Sequence, residues 1–291
     1  MEATAHTALE AFPMPMRVQP LDGAFGVRIT DVDLSAPLDD ATFGAIRQAL
    51  VDHHVVAIAG QHLSAGELVA FSERFGELEP HLLTQFHHPD HPAVLTLSNW
   101  RLPDGSPKGA ANPPDPIFHS DLSYRPTPTW VTLLYAVTVP DHGGDTLFAD
   151  MAAAYDALPA DLRDRLDGLR AAHNYAYRYP ERMTDAQRDA NPDVVHPVVR
   201  LHPDSLKKAV FINPSFTGPI LGLPADEGEA LKARIYDHCL ADRFRLRYRW
   251  RQGDLLMWDN AAVVHSATPA PEDQERTMLR TTVVGGAPVP V

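Results

Sequence analysis

The chain contains a single cysteine in 291 residues, Cys239. One thiol excludes an internal disulfide and any cysteine-clustered metal site. Its place in the helix-like stretch Glu227 to Leu240 marks it as a buried thiol rather than a nucleophile. Basic charge is scarce as well: 25 Lys and Arg stand against 38 Asp and Glu, a formal net charge of -13. An acidic surface does not track a polyphosphate backbone, so nucleic acid is not expected as a partner. No apolar run reaches the length of a bilayer span, and the opening MEATAHTALEAF lacks the basic-then-apolar order of a secretory signal. No membrane partner is expected, and the expected compartment is the cytoplasm. Association into a homo-oligomer is left open by the sequence. Internal repeats and low-complexity linkers are missing too.

What the chain does have is punctuation. Its 27 prolines and 17 glycines cut it into short segments, which favours strands over long helices. With 44% hydrophobic residues it can bury one sizeable core with room for a cavity. Arg17 to Asp33 alternates like short strands broken at Gly23 and Gly26. Asp39 or Asp40 can cap a helix that carries Phe43, Ile46 and Leu50 on one face. Val55 to Ile58 reads as a buried strand, and Ser64 with Glu67 forms a capping-box pattern before Leu68, Phe71 and Phe75. From Ala93 onward, short apolar runs such as Val94–Leu97, Phe118–Tyr124, Trp130–Val137, Leu255–Trp258, Val263–Ser266 and Met278–Val284 alternate with turn-rich stretches. The expected fold is mainly β with α insertions: a distorted double-stranded β-helix, or jelly roll, flanked by helices. It is read as one domain over 1–291, with helical insertions near 151–170 and 224–240. The stretch Asn99 to Ile117, rich in Pro, Gly and polar residues, is expected to form a mobile loop over a site.

Chemistry first shows in histidines next to carboxylates. A His followed two places later by Asp occurs three times, at His88, His119 and His202. This composition supplies about two such pairs by chance. A central proline argues against the first and last lying inside paired strands. His119-Ser120-Asp121 differs, because Phe118, Leu122 and Tyr124 give it strand character, and residues two apart on a strand project to one face. His265, in Val263-Val264-His265, offers a third ligand, completing the two-histidine, one-carboxylate face that suits ferrous ion. On spacing alone, a plain hydrogen-bonded His119–Asp121 pair with a surface His265 stands equally well. Arg276 and Arg280 shift that balance. Four residues apart, they share one side of a strand, roughly 13 Å apart at about 3.3 Å per residue. Inward arginines in the apolar run Met278 to Val284 are costly unless anions meet them, and a guanidinium fork fits a carboxylate or sulfonate.

In these features the chain resembles the TauD/TfdA family of iron(II), 2-oxoglutarate-dependent dioxygenases, that of taurine dioxygenase and 2,4-dichlorophenoxyacetate dioxygenase, from about Leu21 to Val284. The residues that carry the resemblance are His119-Ser120-Asp121, Gly143-Gly144-Asp145-Thr146, Trp258-Asp259-Asn260, His265, and Arg276 with Arg280. Met151 to Pro159 is similar to the family's first inserted helix. The resemblance implies that His119, Asp121 and His265 bind iron, leaving positions for the 2-oxo acid and dioxygen. It also implies that Arg276 clamps the distal carboxylate of 2-oxoglutarate, assisted by the Thr146 hydroxyl. Succinate and carbon dioxide would be released as a substrate carbon is hydroxylated. Arg280 matches the position that meets the substrate's acidic group and His81 another anion-contacting position, while Tyr175 and Phe216 fall where the family places pocket walls. The chain departs from the taurine enzyme at Thr84, where that enzyme has tyrosine, and at Asp115, where it has asparagine. Phe118 stands where the family often has Trp. A carboxylate at 115 repels a second anion and pairs with an amine.

The reading that follows is a dioxygenase that hydroxylates a small organic anion, a carboxylate or sulfonate. Cleavage of a C–O or C–S bond follows where the hydroxylated carbon bears a heteroatom. An amino-acid oxygenase of a biosynthetic pathway is the alternative that Asp115 favours. Outside this class stand a zinc hydrolase using the same three ligands and a non-catalytic jelly-roll binding protein. Neither of these needs Arg276 or Thr146. His87, His88 and His91 read as a solvated loop rather than a second metal site.

Overall fold

Alternation along a few buried strands sets the architecture. In the computed structural model, which describes residues 16–81, 83–111 and 117–291, the strand Val55–Ile58 turns Val56 and Ile58 to one side and Val55 and Ala57 to the other. Leu255–Asp259 and Thr129–Thr138 repeat the pattern: Leu255, Met257, Leu133 and Tyr135 face out, while Leu256, Trp258, Leu134 and Ala136 face in. Strands apolar on both faces must be covered twice.

These strands form the middle of an eight-stranded sheet. Its order is Arg17–Pro20, Val27–Thr30, Val55–Ile58, Leu255–Asp259, Thr129–Thr138, Thr277–Val284, His91–Ser98 and His87–His88. Two helices cover the outer face. Asp40–His53 is capped by the Asp39 carboxylate and closed by His54 in the left-handed region (φ 64). Ala65–Glu73 has the full capping box of Ser64 and Glu67, a device that contributes about 1 kcal/mol. Against the inner face packs a three-stranded sheet ordered Arg245–Tyr248, Thr146–Asp150 and Val263–Ala267. Phe148, Leu246, Trp258, Val263 and Met278 fill the space between the two sheets. The far side of the smaller sheet is covered by Met151–Asp156, Ala160–Leu166 and Ala225–Cys239. Two further three-stranded sheets flank this core.

The result is the expected jelly roll, with helices at Met151–Asp156, Ala160–Leu166 and Ala225–Cys239. Cys239 is buried in the last of those helices, and burial pushes its thiol up to about 12, which keeps it inert. Among the described residues no helix is long and apolar enough to cross a membrane.

One buried histidine lies outside any site. His173 ends the strand Arg170–His173, stacks on Phe211 at 5.7 Å, and leaves both ring nitrogens without a partner. Burial, with His196 beside it, pushes its pKa down from 6.5 to about 3. The unfolded chain therefore binds a proton that the folded chain refuses between those two values, so stability falls as pH drops through that window. Urea denaturation at pH 7 and pH 5 should show a loss on the order of 1 kcal/mol per pH unit, with a smaller loss in His173→Phe. An identical pH slope in that variant would show that His173 is not its source.

Candidate metal centre and anion pocket

The smaller sheet delivers His265. Its strand Val263–Ala267 pairs with Thr146–Asp150, placing His265 opposite Phe148. His119 reaches the free edge of the same strand through one isolated bridge: His119 N–H donates to His265 O at 2.9 Å and His265 N–H to His119 O at 2.8 Å. The chain then leaves the sheet. Leu122 adopts φ 50, and Arg125 N–H returns to Leu122 O at 2.8 Å. Phe118–Tyr124 is thus a bridge followed by a turn, not the expected strand. Polar capture of the backbone explains the difference. Asp121 N–H donates to Asn260 Oδ1 at 3.0 Å, and Ser120 Oγ donates to Asn260 O at 3.0 Å, bonds that compete with a ladder.

The turn achieves what the strand was expected to do. Ligand atoms of His119, Asp121 and His265 all lie within 4.8 Å of one another. Nε2 of His119 is 3.7 Å from Asp121 Oδ1, and Nε2 of His265 is 3.7 Å from Asp121 Oδ2. Burial pushes His265 down to about 3, with His119 adding to the effect, and burial lowers His119 as well. Burial pushes Asp121 up, but His265, Arg280, His119 and a Thr132 hydrogen bond outweigh it and hold the carboxyl below its ordinary range. At neutral pH the group is therefore two neutral imidazoles and one carboxylate, the donor set of a divalent metal. Nδ1 of His119 faces Ile117 O at 3.3 Å, which directs the Nε2 lone pair inward. His265 Nδ1, Ser266 Oγ and Trp258 Nε1 are buried without partners beside the same cavity, so a polar occupant suits it.

The carboxylate is held by a relay. Asn260 Nδ2 donates to Thr132 Oγ1 at 3.0 Å, and Thr132 Oγ1 donates to Asp121 Oδ2 at 2.6 Å. Asn260 N–H donates to Trp130 O at 2.8 Å, and the buried Asp259 next to it accepts from His202 Nε2 at 2.7 Å and Trp130 Nε1 at 3.1 Å.

A cavity of about 200 Å³ opens from the three ligands and joins them to both arginines. Arg276 sits just before the strand Thr277–Val284, past a register shift at Thr277/Met278, so the two arginines do not share one regular strand as expected. Both nevertheless line the cavity, because Arg280 lies on the inward parity of Met278. Arg276 Nε donates to Gly144 O at 2.9 Å, leaving its terminal nitrogens for the cavity. Burial lowers Arg276 to about 10 and leaves it charged. Gly144 has φ +63, and a Cβ there would lie 2.7 Å from Arg276 Cδ, so this turn admits no side chain. Thr146 lines the cavity beside it and accepts from Trp250 Nε1 at 3.0 Å.

Arg280 Nη1 lies 3.7 Å from Asp121 Oδ1. His81 Nδ1 accepts the Leu83 N–H at 3.1 Å, and burial with Arg280 nearby lowers its pKa to about 4. Its neutral ring therefore carries the proton on Nε2 and presents a donor. Tyr175 stacks on Phe216 at 6.0 Å, Tyr124 meets both edge-on, and Phe216 packs against His119. Of the expected site residues, Asp115 alone lies outside the described residues. Thr84 begins a short 3-10 turn and is not among the cavity-lining residues. Sequence reasoning missed Thr132, Trp250 and the holding role of Asn260. The only signal for Thr132 was a hydroxyl in the otherwise apolar Trp130–Val137 run.

Residues 17–282 match the model of the family described as taurine catabolism dioxygenase TauD, TfdA family. The chain is 36% identical over 290 residues to an alpha-ketoglutarate-dependent 2,4-dichlorophenoxyacetate dioxygenase of Cupriavidus pinatubonensis, covering 95% of this chain and 100% of the relative. It is 34% identical over 301 residues to an alpha-ketoglutarate-dependent sulfate ester dioxygenase of Pseudomonas putida, covering 99% and 94%. Among solved structures, AAD-2 in complex with Mn(II) and N-oxalylglycine superposes with a TM-score of 0.81 at 27% identity, covering 95% of this chain and 100% of that one.

Calorimetric titration with Mn(II) should show binding that His119→Ala and Asp121→Ala abolish. Thr132→Val, which removes only the hydroxyl that holds Asp121, should weaken it about ten- to hundredfold, while Thr132→Ser retains it. Wild-type affinity in Thr132→Val would refute the relay.

Proposed function

The chain belongs to the TauD, TfdA family of dioxygenases, and from that premise we propose that His119, Asp121 and His265 are its iron ligands and Arg276 and Thr146 its 2-oxoglutarate clamp. It is an iron(II)- and 2-oxoglutarate-dependent dioxygenase of small organic anions. Membership removes the zinc hydrolase and the non-catalytic binding protein from consideration. The observation that carries the residue assignment is one cavity joining three metal-ligand side chains to two cations, Arg276 and Arg280. A buried Arg276 and a half-buried Arg280 in such a wall suit two anions, the cosubstrate's distal carboxylate and the substrate's acidic group.

With iron bound, dioxygen would serve as the oxidant: one of its oxygen atoms would go into succinate as 2-oxoglutarate loses carbon dioxide, and the other into the hydroxyl group gained by a substrate carbon. The chain's own task is placement and exclusion of water. Arg276 offers its terminal N–H groups and Thr146 its hydroxyl to one carboxylate. Arg280 and the His81 Nε2–H offer donors to the other anion next to Asp121. Leu95, Leu97 and Leu134 with Tyr124, Tyr175 and Phe216 surround the rest of the substrate.

That wall argues for the finer substrate class. Among the described lining residues the only acidic side chain is Asp121, which the proposed assignment commits to the metal, while leucines and aromatic rings make up most of the wall around the substrate. We therefore read the substrate as an anion with an aryl or alkyl body, an aryloxy carboxylate or a sulfate ester, in keeping with the two relatives. Hydroxylation of the carbon next to the ether or ester oxygen gives a hemiacetal-like product whose collapse breaks the C–O bond. The same reading treats residues 1–291 as one catalytic domain.

Anaerobic addition of ferrous ion and 2-oxoglutarate should produce a weak visible charge-transfer band that Arg276→Ala loses. A band of full strength in that variant would remove Arg276 from the clamp. Substrate-dependent succinate release should be greatest with an aryloxyacetate or an alkyl sulfate, lower with taurine and absent with amino acids. Preference for an amino acid would overturn the substrate assignment. Arg280→Ala should raise the substrate KM about tenfold or more, the scale of a charged hydrogen bond, with the 2-oxoglutarate KM unchanged.

A further inference from the structure

Trp250 is not among the described residues that line the cavity. Register fixes its place: Tyr248 pairs with Thr146, so the chain leaving the strand Arg245–Tyr248 carries Trp250 past the Thr146 side chain. Its indole N–H donates to Thr146 Oγ1 at 3.0 Å. The ring is braced edge-on by Tyr248 at 5.1 Å, whose hydroxyl donates to Asp254 at 2.6 Å, and it lies 6.0 Å from the Arg276 guanidinium.

A threonine hydroxyl has one proton and two lone pairs, whereas an indole nitrogen only donates. With Trp250 on one lone pair, the Thr146 proton cannot turn toward the indole and needs another acceptor. Thr146 is buried and faces the cavity that Arg276 also lines. A carboxylate, which only accepts, is the partner such a hydroxyl suits, and a hydroxyl that already accepts a hydrogen bond is a stronger donor. Asn260, Thr132 and Asp121 display the same arrangement with its carboxylate in place.

Resting on the reading that Thr146 and Arg276 hold the distal carboxylate of 2-oxoglutarate, we propose that Trp250 is a positioning residue for the cosubstrate. It orients the Thr146 hydroxyl as a donor and thereby sharpens selection for oxo acids that carry a second carboxylate. A ring of similar shape without the N–H leaves the hydroxyl free to rotate and weakens that selection.

The test is a double-mutant cycle on the Mn(II)-loaded protein, read by calorimetry with N-oxalylglycine as the probe. Trp250→Phe should weaken binding about three- to tenfold, the scale of one hydrogen bond. Thr146→Val should lose a similar factor, and the double variant should be no worse than Thr146→Val alone. Pyruvate, which lacks the distal carboxylate, should bind all four proteins alike. Wild-type affinity for N-oxalylglycine in Trp250→Phe, or multiplied losses in the double variant, overturns the positioning role. Failure of the wild-type protein to bind N-oxalylglycine at all would instead overturn the cosubstrate assignment beneath it. If Trp250→Phe does not fold, the indole N–H resonance of Trp250 in the wild-type protein decides. It should exchange slowly and shift with N-oxalylglycine but not with pyruvate, and a resonance that exchanges rapidly and does not shift overturns the proposal.

Discussion

Two reciprocal backbone hydrogen bonds between His119 and His265 hold together the part of the molecule on which everything else depends. They bring together residues from distant parts of the sequence, and they do so through a single bridge with no ladder on either side. A lone bridge would be a loose hinge, yet a metal face demands positions held to a fraction of an ångström. The missing stiffness comes from buried Asn260, just past the strand Leu255–Asp259, which holds the Ser120 hydroxyl and the Asp121 backbone N–H directly and the Asp121 carboxylate through Thr132. His202 and Trp130 pin Asp259 next to it. Precision at the site is thus borrowed from the interior of the large sheet, through residues that never face the cavity.

Charge is arranged with equal economy. Imidazoles kept neutral by burial surround one carboxylate kept ionised by its neighbours, and two guanidiniums share the same space. On the proposed assignment, a divalent metal, the Asp121 carboxylate, a doubly negative cosubstrate, two arginines and a singly negative substrate sum to neutrality. The cavity without its occupants is not neutral, and low-dielectric walls make that imbalance costly. Loading of the site therefore relieves strain of electrostatic origin. An uncharged or dianionic substrate would leave a residue of it.

Much of this was legible in the sequence, and the boundary between what was and was not is physical. Periodicity exposed the buried strands Val55–Ile58 and Leu255–Asp259, and capping chemistry marked the starts of both outer helices. Those signals are local, and they survive folding. Phe118–Tyr124 misled because β-forming side chains were outweighed by a distant amide, that of Asn260, which no local pattern reveals. Thr132 and Trp250 stayed hidden for the same reason. Each acts across strand register on a hydroxyl or carboxylate far away in sequence, at a position whose residue type is unremarkable in its own segment. The arginines were placed on the correct side although their strand is irregular, since burial of a cation inside an apolar run carries its own explanation.

The turn at Gly144 divides the cavity into two kinds of construction. At the Arg276 end the fit depends on the backbone, where even a methyl group would displace the guanidinium. On the proposed assignment the fit around the substrate depends instead on side chains such as Leu95, Tyr175 and Phe216, whose exchange alters the wall rather than a turn of the backbone. Mutation is filtered harshly at the first end and tolerated at the second. A lineage carrying this cavity can drift toward a new substrate one side chain at a time, inheriting the oxidising half of its reaction unchanged.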